Sequence, residues 1–401
     1  MSEPQGDKPG QVWGIDSTAR WFSTKIGGLI VPIAAAVLAF FVGGLVVVAT
    51  GHNPLSAYRA IFNGTGLNWF FPWVEGDERF SASLDLQQTL LITAPLMLTA
   101  LAVAFAFRCG MFNIGGQGQY FVGLMTALFI GHAFAGMPRP LHILLASVGA
   151  ILAGAAWAGI AGFLKASVGA HEVISTIMLN WIALWVGKYL VELGGFMQGS
   201  EPDVPRSYDV ADSAKIWPIW GALQPLHAGI FIALFGLVVY HLILNRTTLG
   251  YEVRAVGFNP EAARYGGISV SRNYVLAMGI SGAFAGMAGA VDILGWKFHQ
   301  AINDFDVSFV GFIGIAVALL GRNKAVGILF AALLFGALQV GTSPRQLSGT
   351  DFPPELATNL STMIQALIIL FVGAELLIVQ VWDQRRRLGL GRTPRVKAQE
   401  L

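Results

Sequence analysis

Of the 401 residues in the chain, 25 are Lys or Arg and 23 are Asp or Glu, so charged residues make up only 12%, about half the share found in an ordinary soluble domain. With 55% hydrophobic residues and a mean hydropathy of +0.62, the composition excludes a soluble globular protein and indicates a polytopic membrane protein. The net charge of +2 gives no reason to expect a nucleic-acid partner. A single cysteine, Cys109, excludes an internal disulfide or a cysteine-based metal centre.

A tail of residues 1–25 precedes the first apolar stretch, and ten charge-poor windows of about membrane-crossing length follow. They lie near 27–49, 88–107, 111–135, 141–164, 172–193, 228–245, 273–294, 306–321, 325–342 and 359–381. We therefore expect an all-α integral membrane protein with about ten transmembrane helices. Its membrane domain would span 26–383 and be followed by a basic tail, 384–401.

The connecting segments differ in charge, and the difference predicts the orientation of the chain. Basic residues collect on one side, most densely in the loop 246–272 and the tail 384–401, whereas the long loops 51–87 and 194–227 are acidic or mixed. Lys and Arg collect on the cytoplasmic side of membrane proteins. We therefore expect both termini in the cytoplasm and the two long loops outside.

The order of the windows suggests an inverted repeat. Windows two to five form a set of four that begins outside the cell. Windows seven to ten form a second set of four that begins inside, so the two sets have opposite topology. The second window of each set is interrupted by glycines, at Gly115, Gly116 and Gly118 in one and at Gly311 and Gly314 in the other. Broken helices in paired positions are typical of transporters, where they lie near the pathway.

Small residues recur at spacings that place them on one helix face. The two examples are Gly154, Ala158 and Gly162 in one window and Gly282 and Gly286 in another. In lipid, such faces allow two helix backbones to approach closely. They therefore predict helix packing, either within the chain or with a second membrane subunit.

The sequence contains no recognisable energy source for active transport. The Gly-Lys pair lies inside a predicted helix and lacks the spacing of a phosphate-binding loop. Asp292 and Glu375 are the candidates for ion coupling, but solvation at a helix end explains both, with Lys297 or Trp296 available to Asp292. We expect a transport subunit with no catalytic residues, no metal site and no cofactor of its own, which takes its energy from a partner.

The segment "MFNIGGQGQYFVGL" places Asn113, Gln117 and Gln119 in an otherwise apolar window. An amide in hydrocarbon costs several kcal/mol unless it is bonded, so these side chains must bind protein, water or solute. Asn113 and Gln117 are four residues apart and are expected on one helix face, with Gln119 on another. Thr176 and Asn180 repeat the four-residue spacing in the fifth window.

Two interpretations of these polar groups remain open. They can hold helices together through interhelical hydrogen bonds, or they can line a wet pathway for a solute, which the neighbouring glycines favour. The candidate pathway residues are Phe112, Asn113, Gln117, Gln119, Ser175, Thr176, Asn180 and Trp181.

The loop 246–272 contains the signal for one short helix. An Asn-Pro pair begins it, because the amide can cap the first N–H groups and proline fits the first turn. Two glycines then end it. The residues assigned to this element are Asn259, Pro260, Glu261, Ala262, Ala263, Arg264 and Gly267, with Gly266 between the last two. Such a helix can lie on the membrane or dock into a soluble partner.

The sequence of this loop resembles a known family. "EAARYGG" is similar to the Glu-Ala-Ala-x-x-x-Gly coupling element of ABC-importer permeases, and "GYEVRAVGFNPEAARYGGISVSR" resembles the branch that carries simple sugars, branched-chain amino acids and nucleosides. "MFNIGGQGQ", "HEVISTIMLNWIA" and "GIAVALLGRNKAVG" resemble three further segments of that branch, in the same order. The long first external loop and "NPEAARYGGI" are most similar to nucleoside permeases that work with basic-membrane-lipoprotein-type binding proteins. Phe312 and Ile313 depart from this pattern, because related chains often have a polar or acidic residue there.

The resemblance implies a permease subunit in a bacterial inner membrane that forms an importer's pathway for nucleosides, purine nucleosides in particular. Besides membrane lipids, the implied partners are a second, related permease in a heterodimer, a cytoplasmic ATPase with two nucleotide-binding modules that binds ATP and Mg, and an extracytoplasmic solute-binding lipoprotein. Glu261 and Arg264 would contact the ATPase. The alternatives are the same subunit for a simple sugar such as a pentose, and an ion-coupled secondary transporter.

Overall fold

The computed structural model describes residues 16–221, 224–343 and 359–371, with side chains from Ile33 onward. Every regular element in these ranges is a helix, which confirms the all-α prediction for them. The α-helices are α1 (Asp16–Ala49), α2 (Pro54–Gly64), α3 (Gly76–Arg108), α4 (Gly116–Ala133), α5 (Arg139–Val168), α6 (Glu172–Val191), α7 (Gly229–Arg246), α8 (Thr248–Phe258), α9 (Pro260–Tyr265), α10 (Val270–Asp292), α11 (Asp304–Val307), α12 (Val310–Leu320), α13 (Ala325–Gly341) and α14 (Asn359–Phe371). The predicted basic tail, 384–401, the ion-coupling candidate Glu375 and residues 1–15 lie outside the described residues.

Among the residues that the structure describes, five helices are long and apolar enough to cross a membrane: α3, α5, α6, α7, and α10 with the π-helical turn that extends it to Lys297. Shorter apolar helices occupy three more predicted windows, in α1, α13 and α14. The other two windows, 111–135 and 306–321, are interrupted before α4 begins at Gly116 and before α12 begins at Val310. Of the glycines predicted to break them, Gly116, Gly118, Gly311 and Gly314 lie inside these two helices instead. The count of ten spans, the cytoplasmic termini and the inverted repeat stay predictions.

Helices α3, α4 and α10 form the centre of the bundle. Helix α10 packs along α5, α4 and α3, while α12 and α13 pack against α3. Most residues of α4 are buried by these neighbours, including Gln117 and Gln119. Because α4 faces other helices rather than lipid, it can carry glycine and glutamine where a lipid-facing helix needs leucine.

The close contact of α4, α5 and α10 depends on glycine. A Cβ atom on Gly282 would lie 2.1 Å from the carbonyl oxygen of Gly154, and one on Gly123 would lie 2.4 Å from the Cα atom of Gly286. No side chain fits at such distances, so the backbones touch directly. The small-residue faces predicted for packing are confirmed as contacts within this chain.

The two ends of the bundle carry different elements. Helix α8 begins after Thr247, whose hydroxyl accepts a hydrogen bond from the Gly250 N–H group (3.1 Å), and α9 follows directly after Asn259. Helix α10 then runs back through the bundle to Asp292. We call the end with α8 and α9 the α9 end, and the opposite one the far end.

Candidate functional site: two interrupted helices, a far-end cavity and a short exposed helix

The end of α3 delays the start of α4. Gly110 has a left-handed backbone (φ +74°), and the N–H groups of Gly110 and Met111 donate to carbonyl groups of the last turn of α3. This is a common way for glycine to end a helix. Helix α4 begins only at Gly116. Asn113 therefore precedes the helix, and the prediction that Asn113 and Gln117 share a helix face is wrong.

Asn113 is fully buried (0% exposed) at a junction of three segments. Its Oδ1 atom accepts from the Gly115 N–H group (2.9 Å), and its Nδ2 group donates to Ser281 Oγ on α10 (2.7 Å). Gln119, which was expected to point elsewhere, exchanges two amide hydrogen bonds with Asn113, of 2.9 and 3.0 Å. The Ser281 hydroxyl donates onward to Ala102 of α3 (2.6 Å), so one polar chain links α3, α4 and α10.

Gln117 joins the two interrupted windows. Its Nε2 group donates to the carbonyl of Ser308, between α11 and α12 (2.9 Å), and its Oε1 atom accepts from the Gly311 N–H group in the first turn of α12 (2.7 Å). A Cβ atom on Gly311 would lie 2.3 Å from the Gln117 nitrogen, so the contact requires glycine. Gly311, which lies inside α12, therefore lets α12 meet the first turn of α4.

Asn180 attaches α6 to the same region. Its Oδ1 atom accepts from the Gly118 N–H group (2.8 Å), and its Nδ2 group donates to the carbonyl of Ile114 (2.9 Å). Thr176, one turn earlier, is also buried, so the predicted common face of Thr176 and Asn180 is confirmed. The Thr176 hydroxyl donates within its own helix, to Val173 (3.2 Å).

We call Asn113, Gln117, Gln119 and Asn180 the amide cluster. In this conformation all four side chains are hydrogen-bonded to protein. The other candidate pathway residues lie around the cluster: Phe112 stacks on Phe107 (4.9 Å between ring centres), Ser175 bonds to His171, and Trp181 is exposed on α6. The amide cluster thus holds helices together here, and its place in a pathway stays a prediction.

A buried ion pair lies at the far end, where α10 passes into the π-helical turn. Asp292 is 3% exposed, and its carboxylate accepts from Lys297 Nζ (2.8 Å), Trp296 Nε1 (2.5 Å) and the Tyr120 hydroxyl. Lys297 and Trp296 were the partners expected from the sequence. Tyr120 was missed, because it lies on α4 and nothing local in the sequence links it to Asp292.

The ion pair has a neutral neighbour. The His227 ring packs against Gly295, where a Cβ atom would lie 2.2 Å from it. Burial lowers the pKa of His227 to about 4, although the charge of Asp292 acts in the opposite direction. Its Nδ1 atom accepts from the Gly229 N–H group (3.1 Å), which places the proton on Nε2. His227 is therefore uncharged at neutral pH and leaves the Asp292–Lys297 pair electrically balanced.

A cavity of about 790 Å³, the far-end cavity, lies between the far-end segments of α10, α12, α13 and α14 and the middle of α3. This volume falls within the range of about 300–1,000 Å³ that small-molecule sites occupy. Aromatic rings of Trp296 and Phe309 line it together with polar side chains such as Gln339 and Gln365. Ser308 also lines it, and the Ser308 carbonyl is the group that binds Gln117. The cavity therefore ends at the contact between the interrupted helices.

Helix α9 has the features that the sequence predicts. Asn259 Oδ1 accepts from the Ala262 N–H group (3.0 Å), Pro260 occupies the first turn, and the chain leaves through Gly267 with a left-handed backbone (φ +80°). Ala263 is buried against the protein. Glu261 and Arg264 are about two-thirds exposed and pair only loosely, at 3.4 Å. Their role in docking stays a prediction.

Two large aromatic side chains beside α9 escaped the sequence-based prediction. Phe258 is 90% exposed and Tyr265 is 93% exposed, one at each end of the helix. Exposed rings on both sides of an exposed polar helix make these two residues candidates for contact with a partner protein. A signal was present in the sequence, since Phe258 directly precedes the Asn-Pro pair that begins the helix and Tyr265 directly precedes the two glycines that end it.

The base of α9 touches the segment that leads to the amide cluster. A Cβ atom on Gly257, near the end of α8, would lie 2.3 Å from the carbonyl oxygen of Arg108, and one on Gly110 would lie 3.3 Å from the Cα atom of Gly257. The two backbones are therefore in direct contact. Gly110 is only three residues from Asn113, so the end of α8 lies against the segment that leads into the amide cluster.

The chain matches a family model and several characterised proteins. The family model, described as "Branched-chain amino acid transport system / permease component", matches residues 86–373. The chain is 37% identical over 374 residues to the guanosine ABC transporter permease protein NupP of Bacillus subtilis, covering 91% of this chain and 99% of that protein. It is 34% identical over 363 residues to the nucleoside ABC transporter permease protein NupB of Lactococcus lactis, covering 89% and 93%. It is 33% identical over 371 residues to the glucose ABC transporter permease protein TsgB13 of Haloferax volcanii, covering 90% and 89%.

Proposed function

Because this chain belongs to the family of branched-chain amino acid transport system permease components, we propose that it is the membrane-spanning permease of an ABC importer that carries nucleosides. The observation that carries the coupling mechanism is the backbone contact between Gly257 and Gly110. It joins α8, which leads into the exposed helix α9, to the segment between α3 and the amide cluster. A separate ATPase supplies the energy of transport, and this chain carries out no chemical reaction itself.

Nucleosides are favoured as the solute by two relatives, at 37% and 34% identity, that are named for guanosine or nucleoside transport. The relative at 33% identity that is named for glucose makes a simple sugar the second candidate. The far-end cavity supports the first choice, because Trp296 and Phe309 offer flat apolar faces to a heterocycle and the polar groups can bind ribose hydroxyls. Within the nucleosides, we propose purines.

The amide cluster is the closed gate of the proposed pathway. Its hydrogen bonds join the segment before α4 to α6 and α10, and the first turn of α4 to α12, beside the far-end cavity. A movement of α8 against Gly110 would pull on this segment and exchange protein partners of the amides for water or solute. Contacts with the solute would be weak and brief, since a conduit must release what it admits.

The proposed setting is a bacterial inner membrane, with ten spans and both termini in the cytoplasm. The α9 end would then face the cytoplasm and a two-module ATPase, while the far-end cavity would face a solute-binding lipoprotein. A second, related permease would complete a heterodimer. The many exposed apolar side chains of α5, α6 and α7 support burial of this chain in lipid and against such a subunit.

The test is uptake of labelled guanosine by vesicles that contain this chain, the partner permease, the ATPase and the binding protein. Single charge reversals, Glu261→Arg and Arg264→Glu, should lower uptake per ATP about tenfold, which corresponds to a lost contact of about 1.4 kcal/mol. The double exchange restores the pair within α9 but not the contacts with the ATPase. It should therefore remain uncoupled.

Three outcomes would contradict the proposal. Wild-type coupling in both single variants would remove α9 from the joint. Recovery in the double exchange would show that the loose Glu261–Arg264 pair matters only within the helix. Uphill uptake by this chain alone in an ion gradient would establish a secondary transporter instead.

A further inference from the structure

A second cavity, at the α9 end, has a charge that the transport pathway does not explain. It measures about 360 Å³ and lies between the ends of α3 and α7, helix α8 and the turn from α12 to α13. We call it the anion cavity. Its lining includes Arg108, Arg254, Lys324, His241 and Asn323, and no carboxylate among the described residues.

Arg108 is the residue that most needs a further partner. One of its guanidinium nitrogens, Nη2, donates to the carbonyl of Asn323 (2.8 Å), which fixes the group in place. Its Nε atom is buried and has no hydrogen-bond partner among the described residues. A buried donor of a charged group that lacks an acceptor costs free energy, so an acceptor is expected in this cavity.

The other two cations add charge without any visible balance. Arg254, on α8, donates from Nε to the carbonyl of Gly250 (3.1 Å), an uncharged acceptor. Lys324 is exposed at the start of α13. Within the part of the chain that the structure describes, none of Arg108, Arg254 and Lys324 forms a salt bridge. Three cations around one small space, two of them held by hydrogen bonds, favour an anion with several oxygen atoms, such as a phosphate group.

The rim of the cavity indicates where the anion comes from. Val326, which lines the cavity, is exposed, and so is Leu242, which lies on α7 beside the lining residue His241. Apolar side chains exposed at the end of membrane helices face acyl chains, and basic pockets between such helices bind lipid headgroups. We propose that the anion cavity binds the phosphate group of an anionic phospholipid in the leaflet at the α9 end.

The site has a mechanical consequence. Arg254 lies one turn before Gly257, which touches Gly110, and Lys324 begins the helix after α12. A lipid phosphate held by both residues would tie α8 to the turn between α12 and α13. It would therefore restrict the movement of the end of α8, which leads directly into α9.

The test uses the full-length chain in detergent, with phosphatidylglycerol and phosphatidylcholine added separately and bound lipid counted by native mass spectrometry. Phosphatidylglycerol should bind at least about tenfold more tightly than phosphatidylcholine. Arg254→Gln and Lys324→Gln should each weaken it about fivefold, since one cation near a lipid surface contributes about 1 kcal/mol. Arg108 is left unchanged because it also bonds to Asn323. The matched control is Arg272→Gln, because Arg272 is an exposed basic residue outside the cavity. It should not change the binding of phosphatidylglycerol.

Each other result counts against the proposal. Equal binding of the two lipids, or an equal loss in Arg272→Gln, would show that no specific site exists. In a separate experiment without lipid, inorganic phosphate is added at 10 mM, a concentration on the order of the dissociation constant of a weak site. If phosphate binds with the same dependence on Arg254 and Lys324 and phosphatidylglycerol does not, the source is free phosphate and the lipid assignment is overturned.

Discussion

The amide cluster and α9 are both polar, but their polar groups find partners in different places. The cluster is buried, and Asn113 alone bonds to Gln119, Ser281 and Gly115. On α9, Glu261 and Arg264 pair loosely with each other, at 3.4 Å, and Tyr265 faces solvent, as does Phe258 at the end of α8. A buried amide without a hydrogen-bond partner lowers the stability of the fold, whereas an exposed side chain can bond to water with little loss of free energy.

The difference separates two mechanical roles. Groups satisfied inside the protein can form a gate, because exchanging their partners costs free energy that a motor must supply. Groups left to solvent can form a docking surface, because a partner protein can take them without disrupting the fold. Variants at the two places should therefore differ in whether they change the stability of the chain or only its function.

The largest loss of stability is expected from Lys297→Met. It would leave the Asp292 carboxylate buried without its cation, which costs about 3–5 kcal/mol. Thermal unfolding in detergent measures the effect, and adding Asp292→Asn should recover most of it. Lys215→Met breaks a pair with Asp212, whose side chain is 94% exposed, and serves as the matched control, with a loss of no more than about 1 kcal/mol expected. If Lys297→Met were as stable as the control, the far-end ion pair would not belong to the buried polar interior.

Asn180→Leu should destabilise the chain by about 2–3 kcal/mol, because it leaves the Gly118 N–H group and the Ile114 carbonyl without partners. Ser175→Ala, five residues earlier on α6, removes only a bond to the same helix and should change little. Unfolding and guanosine uptake are measured together. Loss of uptake with wild-type stability would assign Asn180 to the pathway rather than to helix packing.

Local signals in the sequence predicted α9 correctly, while contacts between distant segments could not be predicted. The Asn259 cap bonds to Ala262, three residues away, so a short motif contains the whole interaction. The Tyr120–Asp292 bond joins residues 172 positions apart, and no periodicity links them. Hydropathy located the long helices because lipid demands a continuous apolar face.

The start of α4 shows why the candidate site was only partly predicted. Residue types identified the amides, since few polar groups occur in such windows. Their geometry depended on how α3 ends at Gly110, and that ending shifted Asn113 off the helix and turned Gln119 toward it. Helical spacing therefore holds for Thr176 and Asn180, which lie within one helix, and fails across the interruption.

Gly267→Ala should have a smaller effect, about 1 kcal/mol. Gly267 has a φ of +80°, which an alanine adopts only with strain, but an added Cβ atom would meet nothing within 4 Å. The cost is therefore conformational and confined to the exit of α9. Gly266→Ala is the matched control, because Gly266 has an ordinary φ of −76° and should tolerate the change in unfolding experiments. An equal loss in both variants would show that packing, not backbone conformation, decides the position.

The smallest change in stability and a large change in assembly are expected at the two aromatic residues beside α9. Phe258→Ala and Tyr265→Ala remove side chains that are 90% and 93% exposed, so unfolding should shift by no more than about 0.5 kcal/mol. Buried aromatic anchors of an interface contribute about 2 kcal/mol or more, so affinity for the ATPase should fall about thirtyfold. Tyr251→Ala, at the other end of α8, is the control and should bind the ATPase normally.

Loss of stability would place the rings inside the fold, and unchanged affinity would move the docking surface away from α9. If only binding falls, the exposed helix and the buried cluster divide docking and gating between them.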